Sequence, residues 1–181
     1  MKRLTIFILL LSNLAHAQFE IDNIPSKTYT LGGFGNLHSD GFITGIEGGL
    51  LFPKHWANIG VAVSPAYYST AFQNWALNLN YNYLPNDYSK RFDLFFDFNF
   101  ILRLSHNNLI VYDQNGNLID DKKFLLRNDL NLGFGFNTNI SKNVYIKTSV
   151  GAGISINEWQ TSTIWSFSGN ARFSIGYRFL K

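Results

Sequence analysis

The sequence of 181 residues contains no cysteine, and only 15% of its residues are charged, against about 25% in an ordinary soluble domain. The absence of cysteine excludes a disulfide-stapled fold and a cysteine-ligated zinc site. Beyond the first residues, no stretch approaches the run of about 18 apolar residues that indicates a transmembrane helix. Intrinsic disorder is excluded because disordered chains are poor in aromatics, whereas this chain has 17 Phe, 9 Tyr and 4 Trp. The length suits one domain.

Residues 1–17 have the features of a cleaved export signal. Lys2 and Arg3 form a positive n-region, Leu4–Leu11 is a short apolar h-region, and Ala15-His16-Ala17 supplies the small-x-small cleavage pattern. The apolar run is far shorter than the about 20 residues that span a bilayer. We therefore expect the signal to be removed after Ala17 and the mature protein to work outside the cytoplasm.

The domain that remains, residues 18–181, carries almost no net charge. The whole chain has 15 basic and 12 acidic residues, and its first 17 residues hold two of the basic ones and no acidic one. Removal of the signal therefore lowers the net charge from +3 to +1. The apparent basicity gives no argument for nucleic acid as a partner.

Apolar and polar residues alternate through most of this domain. In residues 91–105 every second residue from Phe92 to Leu104 is apolar, and Asp93 and Asp97 lie between them. Successive side chains point to opposite faces of a strand, so this period of two predicts strands with one apolar and one polar face. The pattern predicts eight strands, at residues 27–37, 41–52, 56–68, 74–83, 91–105, 124–140, 144–157 and 164–180.

The predicted connections alternate between short and long. Short turns follow the second, fourth and sixth strands, at residues 53–55, 85–89 and 141–143. The longest loop contains Asn115-Gly116, a turn signal that predicts an extended hairpin. Short turns at one end and longer loops at the other are typical of outer-membrane barrels. We expect an all-β, antiparallel up-and-down barrel with both termini on the periplasmic side and its outer loops at residues 37–41, 69–73, 106–123 and 157–163.

A soluble barrel would have the same alternation with the apolar face turned inward. An eight-stranded barrel has an interior only wide enough for its own side chains, and the apolar face carries too many large groups for that space. Aromatic residues near the strand ends also fit the two girdles of a membrane barrel. The periplasmic set is Tyr29, Phe52, Trp56, Tyr83, Phe92, Tyr177 and Phe179, and the outer set is Tyr67, Trp75, Trp159 and Trp165.

The last strand carries a local motif in which Phe173, Ile175, Tyr177 and Phe179 alternate with small or polar residues. It is similar to the terminal signal that the outer-membrane assembly machinery reads, although Leu180-Lys181 follow where family members usually end on the aromatic. With the eight-strand pattern, the chain resembles the small eight-stranded outer-membrane barrels of the OmpA/OmpX type. The resemblance implies insertion into the outer membrane of a Gram-negative cell, among lipid and lipopolysaccharide. It fixes no activity, because this fold hosts adhesins, structural proteins, small pores and enzymes.

Ten charged residues fall on the predicted inner face. One interpretation is a gated polar pathway for small solutes, with Arg/Asp pairs as the gate. The other is an ionic plug whose members satisfy one another, which we expect because buried charges need partners. The ten are Glu47, Arg91, Asp93, Asp97, Arg103, Arg127, Asp129, Lys147, Arg172 and Arg178.

Enzymatic and metal-dependent functions have weaker support. His38-Ser39-Asp40 contains the three residue types of a hydrolase triad, but adjacent residues on one loop rarely point at each other as a triad requires. Ser105-His106 does not reproduce the strand motif of the barrel lipid A deacylases. Asp113, Asp120 and Asp121 could offer oxygen ligands to calcium, but the expected spacing is missing. We expect a monomer without catalytic residues, metal or cofactor, and an acyl hydrolase or a narrow pore is the alternative to a structural or surface-interaction role.

Overall fold

The structure is a computed structural model. It describes residues 26–38, 41–64, 72–86, 88, 91–107, 111–112, 118–119, 123–159 and 162–180. In this part of the chain no helix is long and apolar enough to cross a membrane. The expected export signal, residues 1–17, lies outside the described residues.

Ten strands are present in these ranges. They are β1 (Thr28–His38), β2 (Gly41–Leu51), β3 (His55–Ser64), β4 (Phe72–Tyr83), β5 (Phe92–Asn107), β6 (Val111–Tyr112), β7 (Leu118–Ile119), β8 (Lys123–Asn139), β9 (Val144–Trp159) and β10 (Ser162–Phe179). The eight long strands close into an antiparallel barrel in the order β1-β10-β9-β8-β5-β4-β3-β2. The predicted eight-stranded barrel is therefore confirmed.

The long connection between β5 and β8 contains the expected hairpin. Its strands β6 and β7 pair antiparallel, with Val111 opposite Ile119 and Tyr112 opposite Leu118. The Asn115-Gly116 turn signal lies outside the described residues.

Several strands are longer than the alternation predicted. β9 and β10 pair from Trp159 and Ser162 down to Val144 and Tyr177, so the hairpin extends past the predicted ends at residues 157 and 164. The reason is that ladder hydrogen bonds continue wherever two strands remain adjacent, whether or not the apolar pattern persists. β3 is described to Ser64, and the predicted continuation to residue 68 lies outside the described residues.

The outer face of the barrel is apolar. On β3, Ile59, Val61 and Val63 are exposed, whereas Gly60 and Ala62 between them are buried. Thirty large apolar side chains on the described strands and turns are 37–75% exposed, which far exceeds the scattered apolar residues on a soluble monomer. We call this surface the apolar belt.

The inner face is buried and contains two apolar clusters. The lower cluster lies at the short-turn end of the barrel, and the upper cluster lies nearer the long loops. The lower cluster comprises Leu51, Trp56, Leu84, Tyr88, Phe95 and Tyr145. The upper cluster comprises Phe34, Ile43, Ala62, Ala76 and Ile101.

Glycines on neighbouring strands make room for the inward aromatic rings. Phe95 lies opposite Gly135 in the register, and a Cβ at Gly135 would be 2.5 Å from the Phe95 Cζ. Tyr145 lies opposite Gly176 in the register, and a Cβ at Gly176 would collide with the Tyr145 ring. An eight-stranded lumen can therefore hold large rings where the facing wall has no side chain.

The expectation that Trp56 belongs to the periplasmic girdle is wrong. Its side chain is fully buried in the lumen, where Nε1 donates a hydrogen bond to the Thr30 Oγ1 at 3.3 Å and the ring meets the edge of Tyr145 at 4.5 Å. The reason is parity, because Trp56 shares a face with Asn58 and not with the outward-facing Ile59.

Candidate functional site: the barrel lumen

Among the described residues, the lumen contains equal numbers of buried acidic and basic side chains. Alternation along the strands directs them inward, and each is at most 5% exposed. Arg91 and Arg127, the other two members of the expected inner-face set, are half-buried. The buried acids are Glu47, Asp93, Asp97 and Asp129, and the buried bases are Arg103, Lys147, Arg172 and Arg178.

Asp97 accepts hydrogen bonds from three neighbours in the lower half of the lumen. The donors are the Asn80 Nδ2 at 2.5 Å, the Asn82 Nδ2 at 2.7 Å and the Ser149 Oγ at 2.8 Å. The Oδ1 of Asn82 in turn accepts a hydrogen bond from the Lys147 Nζ at 3.1 Å. The ammonium group is thus joined through one amide to the Asp97 carboxylate, so both charges have partners although neither faces water.

Arg178 occupies an aromatic cage at the short-turn end. Its Cζ lies 5.4 Å from the ring centroid of Trp56, 5.4 Å from that of Tyr88 and 5.0 Å from that of Tyr145. Its Nη2 also donates to the Asn137 Oδ1 at 3.3 Å. A guanidinium held against several ring faces is stabilised by cation–π attraction in addition to its hydrogen bond.

The turn between β4 and β5 reaches into the same end of the lumen. Leu84 and Tyr88 are fully buried, while Pro85 and Asn86 between them are exposed. Sequence reasoning treated this segment only as a short connection. The signal that could have identified the inward course of this turn is its pair of large apolar side chains, because turns exposed to solvent are mostly made of small and polar residues.

Glu47 and Arg172 form a buried ion pair near the middle of the barrel. The guanidinium donates directly to the carboxylate, and the two side chains have relative exposures of 1% and 3%. The Arg172 Cζ also lies 4.4 Å from the Phe34 ring centroid. The pair connects β2 and β10, the two strands on either side of β1.

A second charged group lies towards the long-loop end. The Asp129 carboxylate forms an ion pair with the Arg103 Nη2 at 2.8 Å and accepts a hydrogen bond from the Arg127 Nε at 2.9 Å. Arg103 and Arg127 face each other across the β5–β8 pair, so the Asp129 carboxylate lies between two guanidinium groups. We call Arg103, Arg127 and Asp129 the outer triad.

Three buried asparagines line the lumen between the middle pair and the outer triad. The side-chain amide atoms of Asn36, Asn131 and Asn170 have no hydrogen-bond partner among the described residues. Buried amides of this kind are normally satisfied by ordered water. These amides therefore place polar groups next to the apolar side chains of the upper cluster.

The candidate hydrolase and metal residues do not form a described site. His38 is 5% exposed on the inner face of β1, and Ser39 and Asp40 lie outside the described residues. Ser105 and His106 belong to β5, with side chains that are not described. Asp113, Asp120 and Asp121 lie outside the described residues. Within the described ranges, no group of three His, Cys, Asp or Glu could hold a metal ion.

The motif residues of the C-terminal strand all face outward. Phe173, Ile175, Tyr177 and Phe179 are 45–50% exposed, and the last two rings meet edge to face at 5.2 Å. The end of β10 is held by Asn143, whose Nδ2 donates to the Arg178 carbonyl at 2.8 Å. The motif is thus a row of apolar side chains in the belt.

Sequence comparisons identify no matching family and no matching curated protein. Solved structures do match. The N-terminal β-barrel domain of Pseudomonas aeruginosa OprF is 12% identical, with a TM-score of 0.59, over 85% of this chain and 98% of that one. Neisserial surface protein A is 12% identical, with a TM-score of 0.58, over 86% and 98%. A major outer membrane protein from Thermus thermophilus is 14% identical, with a TM-score of 0.52, over 86% and 100%. At these identities the likeness is one of fold.

Proposed function

We propose that this chain, which has the fold of the small outer-membrane barrels of the OmpA/OmpX type, is an integral outer-membrane protein with a structural or surface-interaction role and a plugged lumen. The observation that carries the proposal is the apolar belt around a closed barrel with a charged interior. Closure leaves no sheet edge, so every backbone group of the wall can be paired within lipid. Lipid and lipopolysaccharide are the partners that cover such a surface.

Charge balance inside the barrel supports the plug. Among the described residues, four buried acids accompany four buried bases. Asp97 and Glu47 accept hydrogen bonds from donors on other strands, and Asp129 on β8 forms an ion pair with Arg103 on β5. Charges that neutralise one another across the lumen join opposite parts of the wall. An eight-stranded barrel filled in this way has little room for a solute, which favours a structural role over transport.

A narrow pore is the second candidate, favoured by the polar stretch of Asn36, Asn131 and Asn170 beside the outer triad. An acyl hydrolase has less support. His38 is buried inside the barrel wall, whereas a lipid acyl chain would approach from the belt.

Heat-modifiable gel migration tests the membrane assignment. We expect the detergent-extracted protein to migrate as a compact band without heating and at its full mass after boiling, and to stay with membranes during alkaline washing. A protein that is recovered in the soluble fraction without detergent would contradict the proposal. Mass measurement of the exported protein checks the proposed signal, since cleavage after Ala17 gives a chain that begins at Gln18.

Planar bilayers and lipid A analysis separate the three functions. The plugged barrel predicts no conductance steps, whereas a pore predicts steps that shift when Arg103 or Asp129 is neutralised. Mass spectrometry of lipid A from cells with and without the gene would reveal a missing acyl chain if the protein were a hydrolase. We expect no such change.

The C-terminal motif is proposed as the signal for the assembly machinery. Its four outward side chains form one face of β10. We expect Phe179→Ala to reduce the amount of compact, membrane-inserted protein in cells while leaving refolding of the purified chain into detergent nearly unchanged. Equal losses in both settings would mean that Phe179 contributes only to stability.

A further inference from the structure

The two ends of the lumen are filled in different ways. At the short-turn end, the lower cluster consists of six side chains that are at most 2% exposed. Two of its members, Leu84 and Tyr88, come from the turn between β4 and β5 and not from the barrel wall. At the other end, the upper cluster is smaller, with two alanines among its five members, and the side chain of Arg127 in the outer triad is 13% exposed.

Hydrogen bonds hold the turn residues in place. The Leu84 N–H donates to the Lys54 carbonyl at 2.9 Å, which ties the turn to the adjacent β2–β3 connection. The Asn139 Nδ2 donates to the Tyr88 carbonyl at 3.1 Å. The Tyr88 hydroxyl lies 3.4 Å from the Thr28 Oγ1 at the start of β1. The turn is therefore attached to the wall at several points around the end of the barrel.

Arg178 joins the turn to the wall from inside. The same guanidinium contacts the ring of Tyr88 from the turn, the ring of Trp56 from β3 and the ring of Tyr145 from β9. A single cation thus connects three parts of the chain that are far apart in sequence. The three rings surround the guanidinium, so large apolar surfaces fill most of the space around this cation.

The contacts of the outer triad are polar. They are one ion pair and one hydrogen bond, which water or a passing ion can replace, and the amides of Asn36, Asn131 and Asn170 beside the triad have no hydrogen-bond partner among the described residues. Rearrangement of such groups does not require apolar surface to be exposed.

We propose that the lower cluster, completed by Leu84 and Tyr88 and held by Arg178, is the permeability barrier of the lumen, and that the outer triad is not. This inference rests on the proposed function, since it requires a barrel that is inserted in a membrane. It assigns the short turn between β4 and β5 the role of sealing the periplasmic end against small inorganic ions.

Ion flux through proteoliposomes tests the assignment. The test variant combines Leu84→Ala and Tyr88→Ala, which shorten two turn side chains without altering a strand. Asn86→Ala, at an exposed position in the same turn, is the matched control, and Arg103→Gln breaks the outer triad. We expect a severalfold rise in potassium flux over wild type for the double variant only. A rise for Arg103→Gln with the lower cluster intact, or no rise for the double variant, would overturn the inference.

Folding is checked separately for every variant by heat-modifiable migration. Should the double variant lack the compact band, Tyr88→Ala alone and Asn139→Ala, which removes the amide that holds the Tyr88 carbonyl, take its place. Unchanged flux in every compact variant refutes the barrier while leaving the membrane assignment intact. A wild-type chain that shows no compact band and no membrane association refutes the proposed function itself.

Discussion

The buried ion pair between Glu47 and Arg172 allows a quantitative test of the partnered lumen. Both residues are at most 5% exposed, so neither charge can be solvated without opening the barrel. Glu47→Gln removes the negative charge and nearly preserves the shape of the side chain. The Arg172 guanidinium would then remain inside the barrel without its direct counter-charge.

The expected loss follows from the environment of that guanidinium. Removal of one partner from a buried ion pair costs about 3–5 kcal/mol. The Phe34 ring, 4.4 Å from the Arg172 Cζ, stabilises the cation in the wild type and the variant alike, so it leaves this difference unchanged. We therefore expect Glu47→Gln to lower the free energy of unfolding by about 3–5 kcal/mol. Adding Arg172→Met should recover most of this loss, because the uncompensated charge is then gone.

Urea unfolding in lipid vesicles measures these differences. The four tryptophans report the transition, and gel migration without heating reports the folded fraction independently. Lys142→Gln, at an exposed position in the β8–β9 turn, is the control and should change stability by less than about 0.5 kcal/mol. A loss below about 1 kcal/mol for Glu47→Gln, or a double variant whose losses simply add, would refute the reasoning.

Two further predictions concern the wall of the barrel. Gly135→Ala places a Cβ 2.5 Å from the Phe95 Cζ and should lower the free energy of unfolding, measured with urea, by about 1–3 kcal/mol. Gly48→Ala is the control: its Cβ would lie 3.7 Å from the nearest atom, so it should leave stability nearly unchanged. Leu132→Lys at mid-height of the belt should cost about 2–4 kcal/mol in vesicles, and Ile140→Lys at the rim about 0–1 kcal/mol. Equal costs at the two heights would argue against a lipid-facing belt.

The barrel could be predicted from the sequence because the two faces of its strands differ: one face is apolar and the other is mostly polar. On β5, Asp93, Asp97 and Arg103 were placed inward by parity alone, and the structure buries all three. Register follows from the same parity, since a slip by one residue would expose these charges to the belt and bury the aromatic set. Strand ends were less predictable, because pairing continues into segments where the alternation fades.

The assignment of aromatic residues to the girdles was less successful. Trp56 was expected on the outside because aromatic residues near the strand ends fit the girdles of a membrane barrel. The structure shows that a ring fits where the neighbouring strand presents glycine, as Gly176 does for Tyr145. The members of such a pair are far apart along the chain, and only the register reveals them. The inward course of Leu84 and Tyr88 likewise depends on contacts with β1 and β8 that no local pattern encodes.

The low charge content of the chain follows from an apolar outer face and an enclosed inner face. In a soluble barrel the polar face contacts water and can carry any number of charged groups, because each is solvated. Here the outward face is apolar, and the inward face is enclosed, so every inward charge needs a partner within reach. The eight buried charges form equal sets of opposite sign, and the remaining inward positions carry mostly amides, hydroxyls and glycine. A further unpaired charge on the inner wall should therefore destabilise the barrel as severely as a charge in the middle of the belt.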